Sequence, residues 1–378
     1  MTAKAVKVPL KETALNLERI TQIGHQVHGV CPDFDAGAFV QDVMSDLPAL
    51  ELKDRISRTS QALHTHLPVT GTEALDVLLR SLPPTPEAAG ITNDFGWHTY
   101  SPHSDFVARY LRTGEYLDQA LDALARFTRY FSAEVAVRDF LNDFPDETMK
   151  AVDAWSRDED HRTRRLASEA TRPLLPCAPR ISLPDDAALP VLDRLYVDSS
   201  TYVRTSVANH LHDLAGTQPE LVLATLGRWK DTASATDQHF AFIARTALRS
   251  RLKKGSPDAY AFLGYPHDAP LELTPLVLER TELADGDVLT FSAALTATVA
   301  VPVDVMFVIS STTPTGKPRE KVYFLNRNTV QPGRPLLLAK PHKLRSTATT
   351  KITPGPYTVA IQVNGRRFPA APFTVVAA

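Results

Sequence analysis

The sequence predicts an all-α HEAT-like helical-repeat solenoid followed by an all-β immunoglobulin-like sandwich. Three observations predict it: apolar residues recur with helical spacing up to about residue 265, a weak 40-residue repeat runs inside that part, and alternating β-branched runs replace it after Tyr265-Pro266. A chain of 378 residues has room for more than one domain of about 100–200 residues. We place the helical domain at 1–266 and the sandwich at 270–378.

In the helical part Leu117, Ala120, Leu121, Leu124 and Phe127 fall three and four apart, on one face of one helix. Prolines at 83, 84 and 86, at 145, at 176 and 179, and at 219 each end a helix, because proline lacks the N–H that the ladder needs. Setting Trp155 over Leu195 aligns Arg164 with Arg204 at a period of 40, and Arg245 follows after 41 as a fainter third copy. Helix pairs of this period cannot bury their apolar faces singly and therefore stack, with the concave side as the usual binding face. Each copy carries a short polar turn, Asp158-Glu159-Asp160 or Ser199-Ser200-Thr201, whose side chains can cap the next helix. The arginines that follow either pair with the turn carboxylates or face a ligand.

Seven runs then read as strands: "LTFSAALTATV", "VDVMFVIS", "KVYFLN", "PLLLAK", "TTKIT", "YTVAIQVNG" and "FTVVA". Turn signals separate them at Asp285-Gly286, Gly316, Gly333, Gly355 and Asn364-Gly365, the last a strong hairpin signal. "KPHKLRSTATTK" reads as a loop.

Hydrophobic residues make up 43% and charged residues 22%, which excludes general disorder. No run approaches the roughly 20 apolar residues of a membrane span, and no signal arrangement is expected, so we expect a cytoplasmic protein and a monomer. Cys31 and Cys177 fit neither a disulfide framework nor CxxC and read as reduced, buried thiols. His64 with His66 and His210 with His212 have HxH spacing but no third ligand, so no metal is expected, and no cofactor motif is present. The net charge of −2 hides a segregation: from Lys317 to Arg367 eleven Lys and Arg meet one acid, Glu320. An excess of that size suits a polyanion.

The densest polar run holds His161, Arg162, Arg164, Arg165, Glu169, Arg172 and Arg180. Arg165 and Glu169 are four apart on a helix and so suit an ion pair. Glu134 opens another helix, where Ser132 is positioned to cap. At "SAEVAVRDFL", "RRLASEATRPLLP", "VRTSVANHLHDLA" and "KPHKLRSTATTKITPGPYTVAIQVNG" the chain resembles the AlkC family of DNA alkylation repair glycosylases. The resemblance implies HEAT-like repeats around duplex DNA, an immunoglobulin-like domain, and hydrolysis of the N-glycosidic bond of cationic bases of the 3-methyladenine type without full base flipping. It implies Glu134 and Glu169 as active-site carboxylates, and Arg172 as a phosphate contact. Arg162, Arg164, Arg165 and Arg204, with Lys340, His342, Lys343, Arg345 and Lys351, complete the expected DNA-binding set. The sequence departs from the family's "RPRLPW" at "RPLLPC", where Cys177 stands at the tryptophan position and Trp97 or Trp155 would have to replace the indole. Two alternatives stay open: a DNA-binding relative with weakened or no catalysis, and a HEAT-type protein-interaction scaffold.

Overall fold

A computed structural model describes residues 8–232, 237–313, 315–347 and 351–377. Its helices are α1 (Leu10–Ala14), α2 (Leu17–His28), α3 (Ala36–Met44), α4 (Leu52–His66), α5 (Gly71–Ser81), α6 (Ser101–Tyr110), α7 (Leu117–Phe127), α8 (Glu134–Asp143), α9 (Pro145–Trp155), α10 (His161–Ala170), α11 (Leu189–Leu195), α12 (Thr201–Leu214), α13 (Pro219–Asp231), α14 (Asp237–Lys254) and α15 (Pro257–Phe262). The strands are β1 (Leu271–Leu273), β2 (Val277–Leu278), β3 (Glu282–Leu283), β4 (Val288–Ala297), β5 (Val301–Thr312), β6 (Pro318–Val330), β7 (Leu336–Lys343), β8 (Gly355–Val363), β9 (Arg366–Arg367) and β10 (Ala371–Val375). Among the described residues no helix is long and apolar enough to cross a membrane.

The stripe of α7 is buried as its spacing requires, with Leu117, Ala120, Leu121, Leu124 and Phe127 all inside. Each leucine so placed stabilises the fold by about 1.5–3 kcal/mol. The 40-residue repeat is also physical, because α9 with α10 and α11 with α12 enter their second helices through the same turn. Asp158 Oδ1 accepts from the N–H of Asp160 at 2.7 Å, and Asp198 Oδ1 accepts from that of Ser200 at 2.8 Å. Asp160 then caps the N–H of Arg162 and Ser200 that of Tyr202. Arg164 and Arg204, each fourth in its helix, fold back onto the turn: Arg164 Nη1 donates to the carbonyls of Asp158 and Glu159, Arg204 Nη1 to those of Asp198 and Ser199. The third copy differs, since Arg245 lies midway along α14 and pairs with Asp304 at 2.8 Å.

One compact unit runs to Gln218 and includes Arg228–Ile243; the other holds Pro219–Gly227 and continues from Ala244. Helix gives way to strand between Phe262 and Leu271, yet the C-terminal half of α14 and all of α15 belong with the strands. The reason is that β5 and β8 bury both faces. Their inner face meets the other sheet through Val303, Val305, Phe307, Val359, Ile361 and Val363. On the outer face Gln362 donates to the Leu252 carbonyl, and the Tyr260 hydroxyl to Met306 Sδ.

The sandwich pairs a sheet ordered β1-β4-β2, with β7 on the free edge of β4, against one ordered β3-β10-β8-β5-β6, with β9 on β8. Asn364 and Gly365 join β8 to β9 with φ of 49° and 86°, the positive pair that a type I′ hairpin turn requires. Two expectations for this region need correction. "KPHK" is the end of β7, paired from Leu336 to Lys343 with β4, not a loop. Of "TTKIT", Lys351, Ile352 and Thr353 lie outside any strand, and Thr349 and Thr350 lie outside the described residues.

Two histidines in the helical unit are buried completely, and burial pushes the pKa of each from 6.5 down to about 4: His103, beside the rings of Tyr100 and Phe127, and His210, whose Nδ1 meets the Ser168 carbonyl. Below pH 6.5 the unfolded chain therefore binds protons that the folded protein refuses. Their stability contribution is full above 6.5 and is lost as the pH falls toward 4, by about 3 kcal/mol for each. We expect the urea midpoint to drop steeply between pH 6.5 and 4.5 and less steeply in His210→Gln; a midpoint constant over that range would refute this.

Candidate active site

Helices α8, α10 and α12 bring their polar residues together in a buried ladder of alternating charge. Glu134 opens α8, its side chain 11% exposed; Glu169 lies near the end of α10 at 7%. Arg165 stands between them, with Nη1 3.2 Å from Glu134 Oε2 and Nη2 3.2 Å from Glu169 Oε1. The ladder continues through Arg172, which donates Nη1 to Glu169 Oε1 at 2.7 Å and Nε to Asp213 Oδ2 at 2.9 Å. Three carboxylates thus face two guanidinium groups.

The two glutamates differ in what is left to them. Glu169 is filled: Oε1 takes both arginines, and Oε2 accepts from the Ser206 hydroxyl at 2.7 Å. Burial works against its ionisation, but Arg165, Arg172 and Ser206 outweigh it and hold the carboxyl below its ordinary 4.5. Glu134 uses only Oε2, toward Ser132 and Arg165, and among the described residues Oε1 has no hydrogen-bond partner. Ser132 does not cap α8, as the spacing suggested; Ala133 holds that position, and the Ser132 hydroxyl joins the Glu134–Arg165 pair instead. The ring of Tyr202 lies 4.9 Å from the Arg165 guanidinium, and burial pushes its phenol up to about 12. That face supports the cation without adding charge.

Several of these residues were not singled out in the sequence. Tyr202, Ser206 and Asp213 form one polar stripe along α12 with His210, which the sequence offered only as half of an HxH pair, and polar residues at that spacing were the available signal. Arg138, four after Glu134, is fully buried and donates to the carbonyls of Ala170, Arg172 and Pro179 at 2.9, 2.6 and 2.6 Å. It ties the helix of Glu134 to the segment that follows Glu169.

A cleft of about 440 Å³ opens in front of Glu134, lined among others by Phe95, His98, Phe131, Val135 and Cys177. Cys177 is exposed rather than buried, with a φ of 61°, and Cys31 is half-buried. Neither tryptophan offered as a replacement reaches the cleft. Trp97 packs on Ile91, Tyr100 and Tyr130 beneath the Arg19 guanidinium, and Trp155 is buried in its repeat.

The expected DNA-binding residues fall into two groups. On the helices, Arg165 and Arg172 hold the ladder, Arg164 and Arg204 hold the turns, Arg164 also pairs with Asp198 at 2.6 Å, and Arg162 lies 3.8 Å from Asp160. On the sandwich, Lys343, Arg345 and Lys351 are exposed, whereas Lys340 donates to the Phe324 carbonyl at 3.1 Å. His342 rests on Tyr323, and burial, with Lys340 and Lys321 nearby, lowers its pKa, so it is uncharged at neutral pH. The histidines at HxH spacing have other partners: His64 stacks on Tyr110, and His66 bonds Asp42.

Residues 272–377 match the family model described as "Uncharacterised protein YhaZ, C-terminal Ig-like domain". Over 354 residues the chain is 30% identical to the uncharacterized protein YhaZ of Bacillus subtilis strain 168, covering 93% of this chain and 95% of that one. Among solved structures it is similar to Pseudomonas fluorescens AlkC, an alkylpurine DNA glycosylase bound to DNA containing an abasic-site analogue. The TM-score is 0.88 at 31% identity, over 98% of this chain and all of that one.

Proposed function

Since the chain belongs to the AlkC family, we propose that it is a DNA repair glycosylase hydrolysing the N-glycosidic bond of cationic alkylated purines, of the 3-methyladenine type, in duplex DNA. The observation that carries this reading is the pair of buried glutamates spanned by Arg165, one saturated and the other, a lining residue of the cleft, with one oxygen free of hydrogen bonds among the described residues.

The chemistry needs little more. A purine alkylated at N3 carries positive charge and leaves as a neutral base when its bond from N9 to C1′ breaks, so no proton donor is required. The sugar becomes oxocarbenium-like, and the Glu134 and Glu169 carboxylates, held in place by Arg165, are suited to oppose that charge. Water then adds to C1′ and gives its proton to a base. Glu134 Oε1 is suited to hold that water, while Glu169 supplies fixed charge. A carboxylate on an open cleft acts without a deep pocket, which fits a mode without full extrusion of the base. Phosphate contacts come from Lys343, Arg345 and Lys351, with Lys340 close by. His342 and the helical arginines of the turns serve the protein's own geometry.

Incubating the protein with methylated duplex DNA and measuring free 3-methylpurine tests the reaction, and no release above a boiled control would overturn it. Affinity for undamaged duplex separates the alternatives. We expect log K to fall linearly with log salt, with a slope that shrinks by about 2 in the Lys343→Ala/Arg345→Ala double variant, about 0.9 for each phosphate no longer neutralised. A flat response to salt would favour a protein-interaction scaffold.

A further inference from the structure

The cleft before Glu134 is larger and more apolar than a methyl group needs. Its wall is built from two chain segments clamped together: the Trp97 N–H donates to the Tyr130 carbonyl at 2.8 Å, and Gly96 bridges Phe131. Gly96 has a φ of 87°, and any Cβ there would run into the Tyr130 carbonyl, so the approach depends on glycine. The clamp presents three rings, Phe95 5.2 Å from Phe131 and His98 4.5 Å from it. Phe95 and Val135 are 40% and 45% exposed although each adjoins a buried carboxylate site. The exposed Cys177, in the same lining, contributes only a small side chain.

Resting on the glycosylase reading, we propose that this cleft receives the alkyl substituent of the damaged base and that the protein acts on N3-alkyl purines with substituents longer than methyl. An N3 substituent projects into the minor groove and so is reachable without extruding the base. Charge fits as well as shape. Asp105 and Asp139 of the lining pair with Arg109 and Arg112, and Glu134, although paired with Arg165, keeps one oxygen without a hydrogen bond to set against a cationic purine. His98 does not oppose that cation, because burial lowers its pKa and keeps the imidazole neutral. Each methylene buried on the wall is worth about a fourfold gain in kcat/KM.

The test compares duplexes alkylated with dimethyl, diethyl and dipropyl sulfate, with release corrected for spontaneous loss. The expected result is that kcat/KM rises about fourfold with each methylene added from methyl to propyl, and that the propyl-to-methyl ratio falls at least tenfold in Cys177→Trp and in Val135→Phe. Both positions are exposed, so the fold tolerates the larger side chains. Methyl release with an unchanged ratio in both variants would overturn the inference and leave the glycosylase reading standing. Loss of propyl release in the unaltered protein alone would do the same. No release of any adduct would overturn both.

Discussion

Glu134→Gln should cut base release by roughly 10³-fold while changing duplex affinity by no more than about threefold. The amide keeps an oxygen that accepts from Ser132 and Arg165, so the start of α8 holds its place, but an NH₂ replaces the oxygen that has no hydrogen-bond partner among the described residues. An amide accepts no proton from water and sets no charge against the sugar. Both contributions vanish together. Single-turnover release on methylated duplex, with affinity measured on an uncleaved duplex, separates chemistry from binding. A loss below tenfold would remove Glu134 from the reaction. Glu169→Gln is expected to lower release as well, but with a stability cost, because both oxygens of Glu169 are engaged and its charge balances two buried arginines.

The parts of this site that were legible in the sequence are those that depend on local spacing. Arg165 and Glu169 are four apart, and an i, i+4 pair survives any arrangement of the other helices. The turn residues repeated at 40 are legible for the same reason, since each turn closes on itself. Asp213 was hidden because its partner Arg172 is 41 positions away, and nothing along α12 alone says which neighbour its polar stripe will meet. Arg138 was hidden because a buried arginine in an apolar helix is indistinguishable, in sequence, from one that reaches solvent.

The strands show the same limit. In β7, Lys340 and His342 alternate with residues of the other face as in any strand, but they turn toward Tyr323 and Phe307 where alternation would place apolar side chains, and so the segment passed for a loop. In β5 and β8 the reverse happened. They read as near-continuous apolar runs because helices cover the face that a simple sandwich leaves to water. β1, β2 and β3 span two or three residues each, too few for any period.

Arg165→Met is expected to cost about 3–5 kcal/mol of stability at pH 7.5, the usual penalty for removing one member of a buried ionic group. Methionine fills similar space, so the loss is electrostatic: Glu134 and Glu169 would be left buried with only Arg172 and two serine hydroxyls between them. The pH dependence identifies the cause. In the native protein Glu169 has a lowered pKa, so its contribution is present above 4.5 and is lost as the pH falls through the folded value. In the variant the largest attraction holding Glu169 ionised is gone, its folded carboxyl takes up a proton more readily than in the native protein, and Glu169 costs the variant less stability as the pH falls. The difference between the two proteins should therefore narrow from pH 7.5 to pH 5, read from urea midpoints at each pH. An equal difference at both values would mean that Arg165 acts through packing alone. A difference below about 1 kcal/mol would mean that the ladder does not hold α8, α10 and α12 together at all.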